Sequence, residues 1–258
     1  MAGGETLLSF GGHLEVIRQM LFRILGVTFV FSCFIFCFKA QTFDILLAPS
    51  DSSFVTYRLV EDLMQKVDRS FFFEPFDIDL IATDLSSQFV THLTTSIYLG
   101  LLCASPFIMY ELFRFITPAL LENERKYSTK IMVSIYALFI IGVMMSYYIL
   151  FPISFRFLGT YSVADKVHTM ITLDSYVSTF VSLTLLLGVV FQLPVIAFIL
   201  SKMGILNASQ MSKYRKHAII FIMLIAAVIT PPDIMTLILV SVPLFAIYEI
   251  SIKCIMTH

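Results

Sequence analysis

Long apolar runs separated by short polar stretches mark six segments: Gln19 to Phe38, Ser87 to Tyr110, Lys130 to Pro152, Tyr176 to Leu200, His217 to Thr230, and Ile234 to Lys253. Wound as α-helix, each of the first four reaches across a hydrocarbon core of ~30 Å. The fifth falls short, at ~21 Å for 1.5 Å of rise per residue. The sixth has ordinary length, holds Pro243 near its middle, and follows the fifth after only the turn Pro231, Pro232, Asp233. These two segments are predicted to form a short hairpin, which must thin the bilayer locally, tilt little, or shelter against partner helices. The pattern therefore predicts an all-α polytopic membrane protein of six transmembrane helices, one domain over residues 1–258.

Composition supports that class. Hydrophobic residues make up 58% of the chain and charged ones 14%, with mean hydropathy +0.90. A soluble domain carries nearer ~25% charge and has no interior large enough for so much apolar surface, whereas a bilayer solvates it. Glu5, His13 and Glu15 precede the first run, and no small-residue cleavage site follows a short hydrophobic core, so that run is expected to be retained as a span.

The net charge of −1 hides an asymmetry. The N-terminal segment, the connections after the second and fourth runs and the C-terminus carry 11 Lys and Arg, against 6 on the other side, which holds 12 of the 18 acids. By the positive-inside rule both termini face the cytoplasm. The first external connection, residues 39–86, has apolar residues at roughly helical spacing from Phe54 to Val67, predicting short amphipathic helices that cap the outer face. The second external connection, Ile153 to Ser175, mixes Phe155, Phe157 and Tyr161 with few charges and is expected to lie at the interface. The cytoplasmic connection after the second run occupies residues 111–129. Cys33, Cys37, Cys103 and Cys254 all fall in or at the end of apolar stretches and read as small buried hydrophobes. Cys33 and Cys37 share a helix face, but no His or carboxylate completes a metal shell, and no cofactor is indicated.

Four clusters carry candidate chemistry. Ahead of the first run stand His13, Leu14, Glu15 and Arg18: a cytoplasmic carboxylate that binds a guanidinium, or an interfacial amphipathic turn. After the second run come Phe115, Pro118, Ala119, Leu120, Glu122, Glu124 and Arg125. Two carboxylates two residues apart cannot share one helix face, so at most one points into a given concavity; the alternative is a solvated charge cluster. In the fourth run, Gln192 is a large polar group deep among apolar residues, and Pro194 frees a carbonyl one turn earlier. Burying that amide unpaired costs about 1 to 3 kcal/mol, so it faces protein or water, either contacting a partner helix or closing an interhelical hydrogen bond. At the hairpin turn, Pro232 and Asp233 read as the opening of the sixth helix, the acid set against its dipole. Glu249 and Lys253, four residues apart, share a face at the cytoplasmic interface.

Catalytic motifs are missing: no HExxH, GxSxG, Walker loop or pair of intramembrane aspartates occurs. With its motifs in order on six segments, the chain resembles the TatC family, the receptor subunit of twin-arginine protein translocases, over essentially its whole length. The resemblance rests on His13, Leu14, Glu15 and Arg18; on Phe115, Pro118, Ala119, Leu120, Glu124 and Arg125; on Phe191, Gln192 and Pro194; and on Thr230 to Asp233. It implies a concave bundle in the cell inner membrane, without enzymatic activity, that recognises twin-arginine signal peptides of folded precursors at its cytoplasmic face. Glu124 matches the main acidic ligand, with Glu15, Arg18, Phe115 and Pro118 beside it. Single-span TatA and TatB partners are implied at the short hairpin, and the proton gradient as the energy source. Two departures stand out. Val16 replaces a second acid common in the family's N-terminal motif, and Gln192 stands where many members have Glu, removing a titratable group. The rival readings are a secondary transporter of a small solute, which requires broken helices around a midplane cavity, and a membrane-embedded enzyme, for which no nucleophile and base pair is visible.

Overall fold

The computed structural model describes residues 10–67, 76, 78–116, 128–162, 164, 169–229 and 234–256. Helix α1 (Phe10–Cys37) is followed by the short α2 (Lys39–Leu47), a 3-10 turn at Ala48–Ser50, and α3 (Val55–Val67). The two-residue strand β1 (Leu80–Ile81) precedes α4 (Ser87–Ile116). Then α5 (Ser128–Met145) runs through a π-helical turn, Ser146–Leu150, into α6 (Phe151–Thr160). Strand β2 (Ile171–Thr172) leads into α7 (Leu173–Val190), α8 (Leu193–Lys202), α9 (Ala208–Lys213), α10 (Arg215–Ile229) and α11 (Ile234–Met256).

Among the described residues, Leu14–Cys37, Ser87–Phe115, Met132–Thr160, Leu173–Ser201 and Ile234–Met256 are long and apolar enough to cross a membrane. Helix α10, with 15 residues, reaches only about 22 Å and is the short member of the hairpin, as its sequence predicts. The turn that joins it to α11, with Pro231, Pro232 and Asp233, lies outside the described residues. Packing runs from α1 against α4, through α5 and α7, to α8, α11 and finally α10. The fourth span is central: 56% of its most apolar window is buried, against 17% for the first.

Two prolines shape the spans. Pro152 lies inside a continuous helix, directly after the π-helical turn, where the altered register accommodates its missing N–H, so the helix continues instead of ending. The expected loop from Ile153 therefore begins only after Thr160, and Phe155 is a buried helical residue rather than an interfacial one. The carbonyl of Tyr148, four residues before Pro152, accepts a hydrogen bond from the Thr56 hydroxyl, which docks α3 onto the third span. Pro194 acts likewise at the start of α8: α7 stops at Val190, and the Gln192 carbonyl takes over as acceptor for Val195 and Ile196 N–H, both at 3.0 Å.

The main core runs from the outer ends of the third and fourth spans to the middle of α10 and α11. Tyr176, Phe151, Phe155 and Phe180 meet edge to face, with centroids 5.0 Å apart in the Phe151–Tyr176, Phe151–Phe180 and Phe155–Tyr176 pairs. The Tyr176 hydroxyl donates to the Leu46 carbonyl at 2.9 Å, tying α2 to the fourth span. The Tyr57 hydroxyl sits between the carbonyls of Pro49, at 2.8 Å, and Pro152, at 3.0 Å. Burial pushes that phenol far above its ordinary range, Arg156 acting in the opposite sense. Between the two external connections β1 pairs parallel with β2, Leu80 opposite Ile171, a link that two-residue strands leave invisible to any pattern of alternation.

On the opposite side a smaller cluster joins Phe113, Ile135 and Ile199, flanked by Met109, Met132 and Val195. The chain leaves α8 through Gly204, whose φ of +72° is the left-handed conformation glycine adopts without penalty, with the Ile205 N–H reaching back to Leu200 at 3.0 Å. The cysteines depart from expectation: Cys33, Cys37 and Cys103 are exposed on outward helix faces and Cys254 is intermediate, all four as free thiols. In a bilayer an outward face is as apolar a destination as the core, so hydrophobicity alone does not decide which one a thiol takes.

Candidate functional site

Helix α1 enters from the side that the charge count assigns to the cytoplasm, and its second and third turns carry Glu15, Arg18 and Gln19. Spacings of three and four bring all three onto one face. Arg18 Nη2 stands 2.7 Å from Glu15 Oε1, and Gln19 Nε2 donates to the same oxygen at 3.0 Å. The Glu15 side chain remains 45% exposed, so the pair is a solvent-facing carboxylate held in place by its own helix. Such a pair contributes about 0 to 1 kcal/mol and opens at little cost.

The second span supplies the neighbouring wall. Residues 111–116, expected in the cytoplasmic connection, continue α4 by two further turns. Phe113 is buried in the small cluster, while Phe115 and Arg114 are exposed on the last turn. Pro118 and Glu124, named from the sequence on this connection, lie outside the described residues.

Sequence reading passed over Glu111. Only 6% of its side chain is exposed, and both its oxygens stand 3.4 Å from Nη1 of Arg23 on α1, with Arg114 Nη1 at 3.9 Å. A carboxylate at the end of an apolar run, one turn before a basic residue, was the available signal. Its partner Arg23 lies 88 positions away and cannot be named from local spacing.

Gln192 stands apart from this rim. It is 8% exposed, and its Nε2 donates to the Ile135 carbonyl of α5 at 3.1 Å and to Gly188 at 3.4 Å. Its Oε1 has no hydrogen-bond partner among the described residues. The amide thus bridges two spans directly behind the Phe113 cluster, and Pro194, two residues on, sets the break that places it there. Glu249 reaches across to the hairpin partner: Arg215, the first residue of α10, binds it through Nε at 2.9 Å and Nη2 at 3.0 Å. No group of three His, Cys, Asp or Glu among the described residues is arranged to hold a metal ion.

Comparison with known proteins agrees with this architecture. The family model for the Sec-independent protein translocase protein TatC matches residues 12–243. The TatC of Blattabacterium sp. subsp. Periplaneta americana is 31% identical over 256 residues, covering 98% of this chain and 96% of the relative. That of Escherichia coli K12 is 28% identical over 239 residues, covering 93% and 84%. A crystal structure of the twin arginine translocase receptor TatC superposes with a TM-score of 0.76 at 27% identity, covering 95% of this chain and 98% of that one. From a family match spanning nearly every helix, a relative aligned end to end and a shared three-dimensional arrangement, it follows that this chain belongs to the TatC family of translocase proteins, multi-pass components of the inner membrane.

Proposed function

We propose that the chain is the receptor subunit of a twin-arginine translocase, binding the paired arginines of signal peptides on folded cargo with carboxylates at its cytoplasmic rim. The observation that carries this reading is the joining of α1 and α4 at their cytoplasmic ends, where Arg23 spans to Glu111. The packing of α1 on α4 supports a shared cytoplasmic rim, with the half-exposed Glu15 on one helix and the last turn of α4, ahead of Pro118 and Glu124 in sequence, on the other. Guanidinium binds carboxylate through two parallel N–H bonds, a geometry lysine cannot reproduce, which gives such a rim its selectivity. Glu124 is the principal ligand, Glu15 the second, with Arg18 holding Glu15 in place and Phe115 and Pro118 lining the approach.

Partner subunits of the single-span TatA and TatB type dock on the short hairpin. An apolar groove between α7 and α10, lined by Ser182, Leu185, Leu186, Val189 and Val228, supports this placement, as does the exposed stripe Ile220, Leu224, Val228 on α10. A helix of about 22 Å leaves the bilayer mismatched there, a cost that a neighbouring helix relieves. The proton gradient drives the assembled machine.

The decisive experiment crosslinks a photoreactive twin-arginine signal peptide to the protein in membranes. Glu124→Ala abolishes the crosslink and the export of a twin-arginine reporter while the protein still accumulates in the membrane. Undiminished crosslinking and export in that variant overturn the proposal.

A further inference from the structure

Two arginine–carboxylate contacts in this protein differ in kind. Arg215 meets Glu249 with two nitrogens on two oxygens, at 2.9 and 3.0 Å. Arg23 meets Glu111 with one nitrogen set between both oxygens at 3.4 Å, and Arg114 adds only a distant contact at 3.9 Å. Charge-assisted bonds of this type ordinarily close to about 2.7–2.9 Å, and a carboxylate accepts about four of them. Glu111 is therefore flanked by cations and well bonded by neither.

Mobility is distributed unequally across the contact. Glu111 is held in the wall of α4 with 6% of its side chain exposed, whereas Arg23 and Arg114 are 47% and 61% exposed. Either arginine swings into water at the cost of a loose contact; the carboxylate stays where it is. A purely structural clamp between α1 and α4 would be redundant, because the two helices already pack along their lengths, with Gly100 admitting the backbone of Ser32. A partly buried ion pair adds little net stability of its own.

Resting on the receptor reading above, we propose that Glu111 is a further guanidinium-binding residue of the signal-peptide site, occupied at rest by Arg23 and surrendered to an arginine of the incoming peptide. The peptide's guanidinium brings two N–H groups in one plane and closes the fork that Arg23 leaves open. Arg23 acts as an internal competitor: a peptide without arginine does not displace it.

The test measures binding of fluorescent signal peptides, one with the twin arginines and one with twin lysines, to the full-length protein in nanodiscs. Arg23→Gln removes the competitor and tightens twin-arginine binding, while Glu111→Gln weakens it about tenfold and narrows the preference for arginine over lysine. The opposite signs are the signature, since loss of a mere clamp weakens binding in both variants alike. Weakening in both, or no change in either while Glu124→Ala still abolishes binding, overturns the role of Glu111. If Glu124→Ala also binds normally, the receptor reading itself falls. Should Glu111→Gln fail to fold, the sign of the Arg23→Gln effect decides alone.

Discussion

Arg215 grips Glu249 across the short hairpin, Nε to Oε1 at 2.9 Å and Nη2 to Oε2 at 3.0 Å, while the Tyr248 hydroxyl donates to the Met211 carbonyl at 2.7 Å. The ion pair closes the cytoplasmic end of α10 and α11, and the tyrosine ties α11 to α9. The arginine is 44% and the glutamate 27% exposed, so solvent screens the pair and its contribution to stability is about 0.5–1 kcal/mol. Arg215→Lys loses most of that, because an ammonium cannot present the two-nitrogen fork. A double-mutant cycle with Glu249→Gln, read by thermal unfolding in detergent, is expected to return a coupling in this range; a coupling of zero refutes the fork.

The third and fourth spans touch backbone to backbone. A β-carbon on Gly142 would stand 2.6 Å from the Leu187 carbonyl oxygen, and one on Gly188 would stand 2.6 Å from the Phe139 ring. Carbonyl oxygen in a helix cannot move aside, whereas a ring can turn. Gly142→Ala is expected to destabilise by about 2 kcal/mol and Gly188→Ala by less, following the cost of overpacking a close helix contact. Equal unfolding midpoints for the two variants would contradict the geometry.

Gln192 combines one interhelical bond with a buried oxygen that has no hydrogen-bond partner among the described residues. Gln192→Leu loses the first and relieves the second, so stability should stay within about 1 kcal/mol of the parent. Gln192→Glu presents a carboxylate to the Ile135 carbonyl and should be the more damaging of the two. Parallel thermal melts of both variants settle the order.

At the entry to α3, Asp51 Oδ1 accepts the Ser53 backbone N–H at 2.7 Å. That backbone hydrogen bond, with help from the Ser53 hydroxyl, holds the carboxyl below its ordinary value of 3.8. A depressed pKa in the folded state means the associated stability is present above the ordinary value and is lost as pH falls through the folded one. Hydrogen exchange at the start of α3, corrected for the intrinsic pH dependence of amide exchange, is therefore expected to be constant above the ordinary carboxylate value of 3.8 and to quicken only below it, with Asp51→Asn removing the acid limb. Quickening already near pH 6 would point to another group.

The six spans, the shortness of the fifth and the amphipathic helices after the first were legible in the residues alone, because length and hydropathy are properties of consecutive positions and a bilayer imposes one thickness on all of them. Candidate chemistry was legible where it formed compact local motifs, as in Glu15 with Arg18. Pairings across the bundle were decided only by the tertiary structure: Arg23 with Glu111, Arg215 with Glu249, Gln192 with the Ile135 carbonyl, and the two short strands. Their partners lie 88, 34 and 57 positions apart in the first three cases, and which faces meet depends on how whole helices rotate and cross. The outward cysteines and the continuation of the third helix past Pro152 followed the same logic, since burial and helix ends are settled by what packs alongside rather than by the residue itself.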